Sequence, residues 1–89
     1  MYYVYILKSQ SSGEYYIGQT QNLEKRIIRH NSGQSRYTKG RGPWQIVYKV
    51  EFISRSEAIS LEKKLKSQKS RTFLEKLIMA EGIPITIGT

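Results

Sequence analysis

The chain has 89 residues, which fits one compact unit with one small core and leaves no room for a deep cleft, so any active site is expected to be shallow. Fifteen lysines and arginines stand against seven acids, all of them glutamate, for a formal charge of +8, and there is no cysteine and a single histidine. These counts exclude aspartate-based triads and metal clusters, disulfide scaffolds, thiolate zinc sites and cysteine nucleophiles, and leave Glu, Tyr, Arg, Lys and one His for chemistry.

Residues Met1 to Ser9 are β-branched and aromatic at alternating and intervening positions alike, as expected of a central strand covered on both sides. The turn cluster from Gln10 to Gly13 precedes renewed strand chemistry from Glu14 to Thr20, which predicts a hairpin. Asn22 is placed to cap a helix from Leu23 to His30, with Glu24 in its first turn and a stop signal at Asn31, Ser32 and Gly33. From Asn31 to Trp44 glycines alternate with Arg36, Lys39 and Arg41 and no acid occurs, which reads as a long basic surface loop.

Gln45 to Ile53 predicts a third, antiparallel strand, with Ile46, Tyr48, Val50 and Phe52 on one face and Gln45, Lys49 and Glu51 on the other. Ser54 and Glu57 form a capping box for a helix from Ser56 to about Lys66. Ser70 is placed to cap a third helix striped by Phe73, Leu74, Leu77 and Ile78 and stopped by Gly82 and Pro84. The order ββαβαα describes one α+β domain over 1–82 with a tail at 83–89. No apolar run approaches the roughly 18 residues of a membrane span, and no signal-peptide pattern is present. A soluble, cytoplasmic monomer without membrane contacts is the expectation.

On the second helix Ala58, Leu61 and Leu65 define the apolar stripe, and Glu62 falls inside it. A carboxylate there is costly unless paired or bound to a cation, so two readings stand open: a partner of an arginine, or a metal ligand. On the first helix Leu23 and Ile27 set the apolar face, and Arg26 and His30, spaced i,i+4, flank it so that both reach one pocket. Tyr3, Tyr5, Tyr15 and Tyr16 crowd two adjacent strands, mostly as packing residues. Gly18, in a strand, marks a bulge or a close approach to the backbone. Lys63, Lys64, Lys66, Lys69 and Arg71 follow Glu62 with no acid among them and, with the basic loop, suit contact with nucleic-acid phosphates. Tyr37 and Trp44 offer stacking surfaces, although Trp44 at a strand start reads better as a core anchor.

Tyr3, Val4 and Tyr5, then Tyr16, Ile17 and Gly18, then Arg26 and His30 on a helix, then Glu62, together resemble the GIY-YIG nuclease superfamily over about residues 2–70. The likeness is greatest to its small stand-alone, largely uncharacterised bacterial members. It implies a three-stranded antiparallel sheet flanked by helices and a metal-dependent DNA endonuclease acting in repair or recombination, with structured or branched DNA among its substrates. By this resemblance Tyr5, Tyr16, Gly18, Arg26 and His30 are catalytic, and Glu62 holds a single Mg²⁺ or Mn²⁺. Arg36, Lys39, Arg41, Lys63, Lys66 and Lys69 would contact the nucleic acid. Tyr3 and Val4 depart from the first glycine and the isoleucine of the name motif, and Gln19 stands where some family nucleases carry a lysine. No asparagine follows the glutamate helix, a place Lys69 is available to take. The alternative is a nucleic-acid-binding module with the same fold and little or no catalysis.

Overall fold

The computed structural model describes residues 1–33, 40, 42–68 and 70–81, with residue 81 described by its backbone alone. Its elements are β1 (Tyr2–Ser9), β2 (Tyr15–Thr20), α1 (Leu23–Asn31), β3 (Trp44–Phe52), α2 (Arg55–Ser67) and α3 (Arg71–Glu81), an α+β fold in the expected order. The three strands form one antiparallel sheet in the order β2-β1-β3, so β1 is central. Val4, Tyr5, Ile6 and Leu7 have no exposed surface, because helices cover both faces of the strand that carries them.

Alternation along β1 divides the interior in two. Val4 and Ile6 point to one face, where Val47, Tyr48, Ala58, Leu65 and Leu74 complete a core built with α2 and α3. Tyr5 and Leu7 point to the other, where they meet Trp44 and, from α1, Leu23 and Ile27. Gly13 turns the hairpin with φ 78°, a backbone conformation that favours glycine, and its N–H donates to the Ser9 carbonyl at 2.9 Å. Arg71 fastens α3 to this hairpin: its guanidinium donates to the Gly13 carbonyl at 2.9 Å and lies 4.8 Å from the centre of the Tyr15 ring.

Two expectations about β3 and α2 need correction. Along β3 the pairing with β1 runs Ile6 to Tyr48 and then Leu7 to Ile46, so Val47 is an extra residue, a β-bulge. The bulge breaks the alternation: Tyr48, Val50 and Phe52 face α2 and α3, but Ile46 packs with Tyr5, Leu7 and Trp44 on the α1 side. At α2 the capping box does not form. The Ser54 hydroxyl lies 2.8 Å from the Ser56 hydroxyl and makes no cap to the helix, which starts on the backbone bond from Ala58 N–H to the Ser54 carbonyl at 3.3 Å.

The other two caps hold. Lys25 N–H donates to Asn22 Oδ1 at 3.0 Å, and Phe73 N–H donates to the Ser70 hydroxyl at 3.3 Å. At the far end of α1 the Asn31 amide grips the start of β3, accepting from Trp44 N–H at 2.7 Å and donating to the Trp44 carbonyl at 3.1 Å. This clamp fixes the helix that carries Arg26 and His30 against the sheet. Gly82 and Pro84, the expected stop of α3, lie outside the described residues, as does the tail.

Candidate active site

Tyr5 is the centre of the site. It sits on β1 directly opposite Gly18 on β2, and its ring crosses over that edge strand because Gly18 has no side chain. A methyl group at Gly18 would stand 2.6 Å from the Tyr5 hydroxyl, 2.8 Å from its Cζ and 3.1 Å from Tyr16 Cε2. Of the two meanings a strand glycine allows, close approach applies here, and the bulge lies elsewhere, on β3. The crossing brings the phenol oxygen to the β2 edge of the sheet, where His30 and Arg26 of α1 reach it.

From α1, His30 is buried at 2 % exposure, and its Nε2 lies 3.1 Å from the Tyr5 hydroxyl. Burial lowers the His30 pKa below its ordinary value, and the charges of Arg26 and Arg29 lower it further, so the imidazole is neutral at pH 7. With its proton on Nδ1, the ring accepts from the Tyr5 O–H. Tyr16 packs on the same imidazole, with ring centroids 4.9 Å apart, and on the Tyr5 ring at 6.4 Å. Trp44 closes the cluster beside Tyr16 at 6.5 Å and is 3 % exposed, the core anchor expected of it.

Burial pushes the Tyr5 phenol well above the ordinary tyrosine pKa, and Tyr16 and Glu62 add to the rise. The Arg26 guanidinium opposes it, by its charge and by a hydrogen bond. The Tyr5 oxygen thus feels Arg26 from α1 and Glu62 from α2, two residues on helices that cover opposite faces of the sheet. Glu62 is not deeply buried: its side chain is 17 % exposed, and Oε2 lies 3.1 Å from Nζ of the exposed Lys66, one turn along α2. Among the described residues its partner is therefore a lysine at the protein surface rather than the arginine that one reading allowed.

Tyr5, Tyr16, Gly18 and His30 thus meet at one edge of the sheet with Arg26 bonded to the Tyr5 oxygen from α1, whereas Glu62 sits on α2 over the opposite face and acts on that phenol through its charge. Of the expected nucleic-acid contacts, Lys63 and Lys66 are exposed on α2, while Arg36, Lys39, Arg41 and Lys69 lie outside the described residues, with Tyr37. Sequence reasoning passed over Arg55, Lys25 and Arg29, which line grooves beside Arg26. A signal was available for Arg55, which precedes Glu62 by seven residues, two helical turns along nearly the same line. Among the described residues no three His, Cys, Asp or Glu side chains cluster as a metal cage. One partly exposed carboxylate does suit Mg²⁺ or Mn²⁺, since Mg²⁺ usually keeps several waters and takes one or two carboxylates plus substrate oxygens.

Residues 1–76 match the family model described as the GIY-YIG catalytic domain. A UPF0213 protein of Clostridium perfringens is 46% identical over 87 residues, covering 92% of each chain. One from Staphylococcus saprophyticus is 45% identical over 67 residues, 74% of this chain and 80% of that one. The solution NMR structure of a UPF0213 protein from Bacillus halodurans superposes with a TM-score of 0.61 at 40% identity, covering 94% of this chain and 89% of the other. No helix among the described residues is long and apolar enough to cross a membrane.

Proposed function

The chain belongs to the GIY-YIG family of nuclease-like domains, and on that premise we propose that it is a metal-dependent DNA endonuclease hydrolysing phosphodiester bonds, with repair or recombination as its setting. The observation that supports this best is the convergence on one phenol oxygen: Arg26 and His30 from α1 and Glu62 from α2 all act on Tyr5 across a glycine that leaves room for it.

Hydrolysis needs a positioned water that loses a proton as it bonds to phosphorus, a clamp on the phosphate, neutralisation of the charge that builds there, and a proton from solvent for the ester oxygen that leaves as its bond to phosphorus breaks. Arg26, partly exposed and without a carboxylate salt bridge among the described residues, is the clamp. The two tyrosines divide the remaining work by exposure. Tyr5 has no exposed surface and a raised pKa, so it serves as the anchor that holds His30 and Arg26 in place. Tyr16 is half-buried, within reach of solvent, and orients the attacking water and takes its proton. Positive charge nearby is what makes a phenolate accessible at neutral pH. Glu62 would hold the divalent ion, which when bound supplies charge that stabilises the crowded phosphorus and favours that phenolate. In the tautomer with its proton on Nδ1, neutral His30 accepts from Tyr5 and keeps the Tyr5 proton turned away from Arg26. Lys63 and Lys66 flank the scissile position, with Arg36, Lys39, Arg41 and Lys69 as further contacts to the DNA.

The test is incubation with duplex, branched and single-stranded DNA in Mg²⁺, in Mn²⁺ and with chelator. Metal-dependent cutting of at least one form is expected, lost in Tyr16→Phe and Arg26→Ala while DNA is still bound. Binding without cutting of any form in either metal would instead establish the non-catalytic binding module.

A further inference from the structure

Two surface grooves share Arg26. One crosses the end of the sheet at β2 and is lined by Arg26, by Arg55 from the start of α2, and by the amides of Gln19, Gln21 and Asn22. The other runs along α1 and is lined by Thr20, Asn22, Lys25, Arg26 and Arg29. Neither contains an acid, so the grooves join into a continuous cationic band with Arg26 at its middle. On the far side of Asn22 the character reverses: the third groove there is lined by Glu24 and Glu51 against Lys49 alone. The band therefore has an edge as well as a direction.

Helix geometry ties this band to the site. Arg55 and Glu62 lie seven residues apart on α2, nearly on one line and about 10 Å apart along the axis. On α1, Arg29 is one turn from both Arg26 and Lys25. A phosphate held at Arg26 would thus have a neighbour on each side facing a cation. Deepening the endonuclease reading and resting on it, we propose that a DNA strand lies with its backbone across Arg26, with one flanking phosphate taken by Arg55 and the other by Lys25 and Arg29. Glu24 and Glu51 repel the strand from the third groove and so fix the side on which it runs. The amides of Gln19, Gln21 and Asn22 suit neutral hydrogen bonds to phosphate or sugar oxygens along the same track.

Fluorescence anisotropy with labelled duplex and single-stranded DNA, between about 50 and 200 mM salt, tests this. The proteins compared are wild type, Arg55→Ala, Arg55→Lys, the pair Lys25→Ala with Arg29→Ala, and Lys76→Ala, which removes the same charge from α3. Each replaced side chain is exposed, and thermal melts confirm folding. On duplex, Arg55→Ala is expected to reduce the slope of log affinity against log salt by about 0.9, and the α1 pair by up to twice that. Arg55→Lys should keep the slope near wild type, and Lys76→Ala should leave it unchanged. Wild-type slope in both Arg55→Ala and the α1 pair, or an equal loss in Lys76→Ala, overturns the proposed track while a wild type that cuts DNA keeps the enzymatic reading. A wild type that neither binds nor cuts DNA ends both.

Discussion

A methyl group added at Gly18 has nowhere to go without moving the Tyr5 hydroxyl, which it would meet at 2.6 Å. The tyrosine is buried and bonded to His30, so it cannot swing aside as a surface side chain would. Gly18→Ala is therefore expected to cost about 1–3 kcal/mol, the usual range for overpacking, and to reduce cleavage beyond that loss of stability. Urea melts of Gly18→Ala, Tyr5→Phe and the double variant check this: removing the hydroxyl relieves the closest contact, so the double variant should be less destabilised than the sum of the two.

His30 carries the pH dependence at this scale. Its folded pKa lies below the unfolded value of about 6.5, so below that pH the unfolded chain binds a proton that the native chain refuses. Stability should be fully present above about pH 6.5 and fall as pH drops toward the lower folded pKa. Cleavage should fall over the same acid limb, because a protonated His30 can no longer accept from Tyr5. Thermal melts across pH 4–8 (roughly the range of His titration) on wild type and His30→Gln decide it, since the acid loss should flatten in the variant.

At the scale of elements, α2 carries both structure and chemistry on one helix. Ala58 and Leu65 are buried against the sheet, while Glu62 lies at the margin of that stripe and pairs with Lys66 at the surface. An i,i+4 pair with one exposed partner is worth only about 0.3–0.5 kcal/mol. Glu62→Gln should thus leave the melting curve within about 0.5 kcal/mol of wild type, yet abolish metal-dependent cleavage. Paired melts and Mg²⁺ titrations separate the two effects. A large loss of stability would return Glu62 to a structural role, because the surface pair with Lys66 is too weak to account for it.

At the scale of the whole molecule the charge of +8 sets long-range behaviour more than any single contact does. DNA affinity should fall steeply with salt, as counterion release requires. Lys39 and Arg41 belong to the basic loop outside the described residues, and replacing both by alanine should weaken binding across all sequences and flatten the salt slope by about 1 for each true contact. An unchanged slope in anisotropy titrations would remove the loop from the interface.

What the sequence determined by itself was whatever local chemistry and periodicity settle. The stretch of β1 that is apolar or aromatic on both faces from Tyr2 to Leu7, the Asn22 cap, the i,i+4 pair of Arg26 and His30 and the unusual place of Glu62 on its stripe follow from spacing alone, and with the ordered tyrosine motifs they were enough to reach the family. Tertiary structure decided the rest, because it depends on contacts between segments far apart in the chain. The bulge at Val47 turns Ile46 to the α1 side, a register set by pairing with β1 that alternation within β3 cannot reveal. Sequence made Gly18 a suspect, but only the pairing of Tyr5 with Gly18 showed what approaches it. The two tyrosines looked equivalent as residue types, and burial separates them: one is sealed and one half-open. Arg55 drew no notice in the sequence, and only the end of the sheet brings it into a groove with Arg26, from a helix that covers the opposite face.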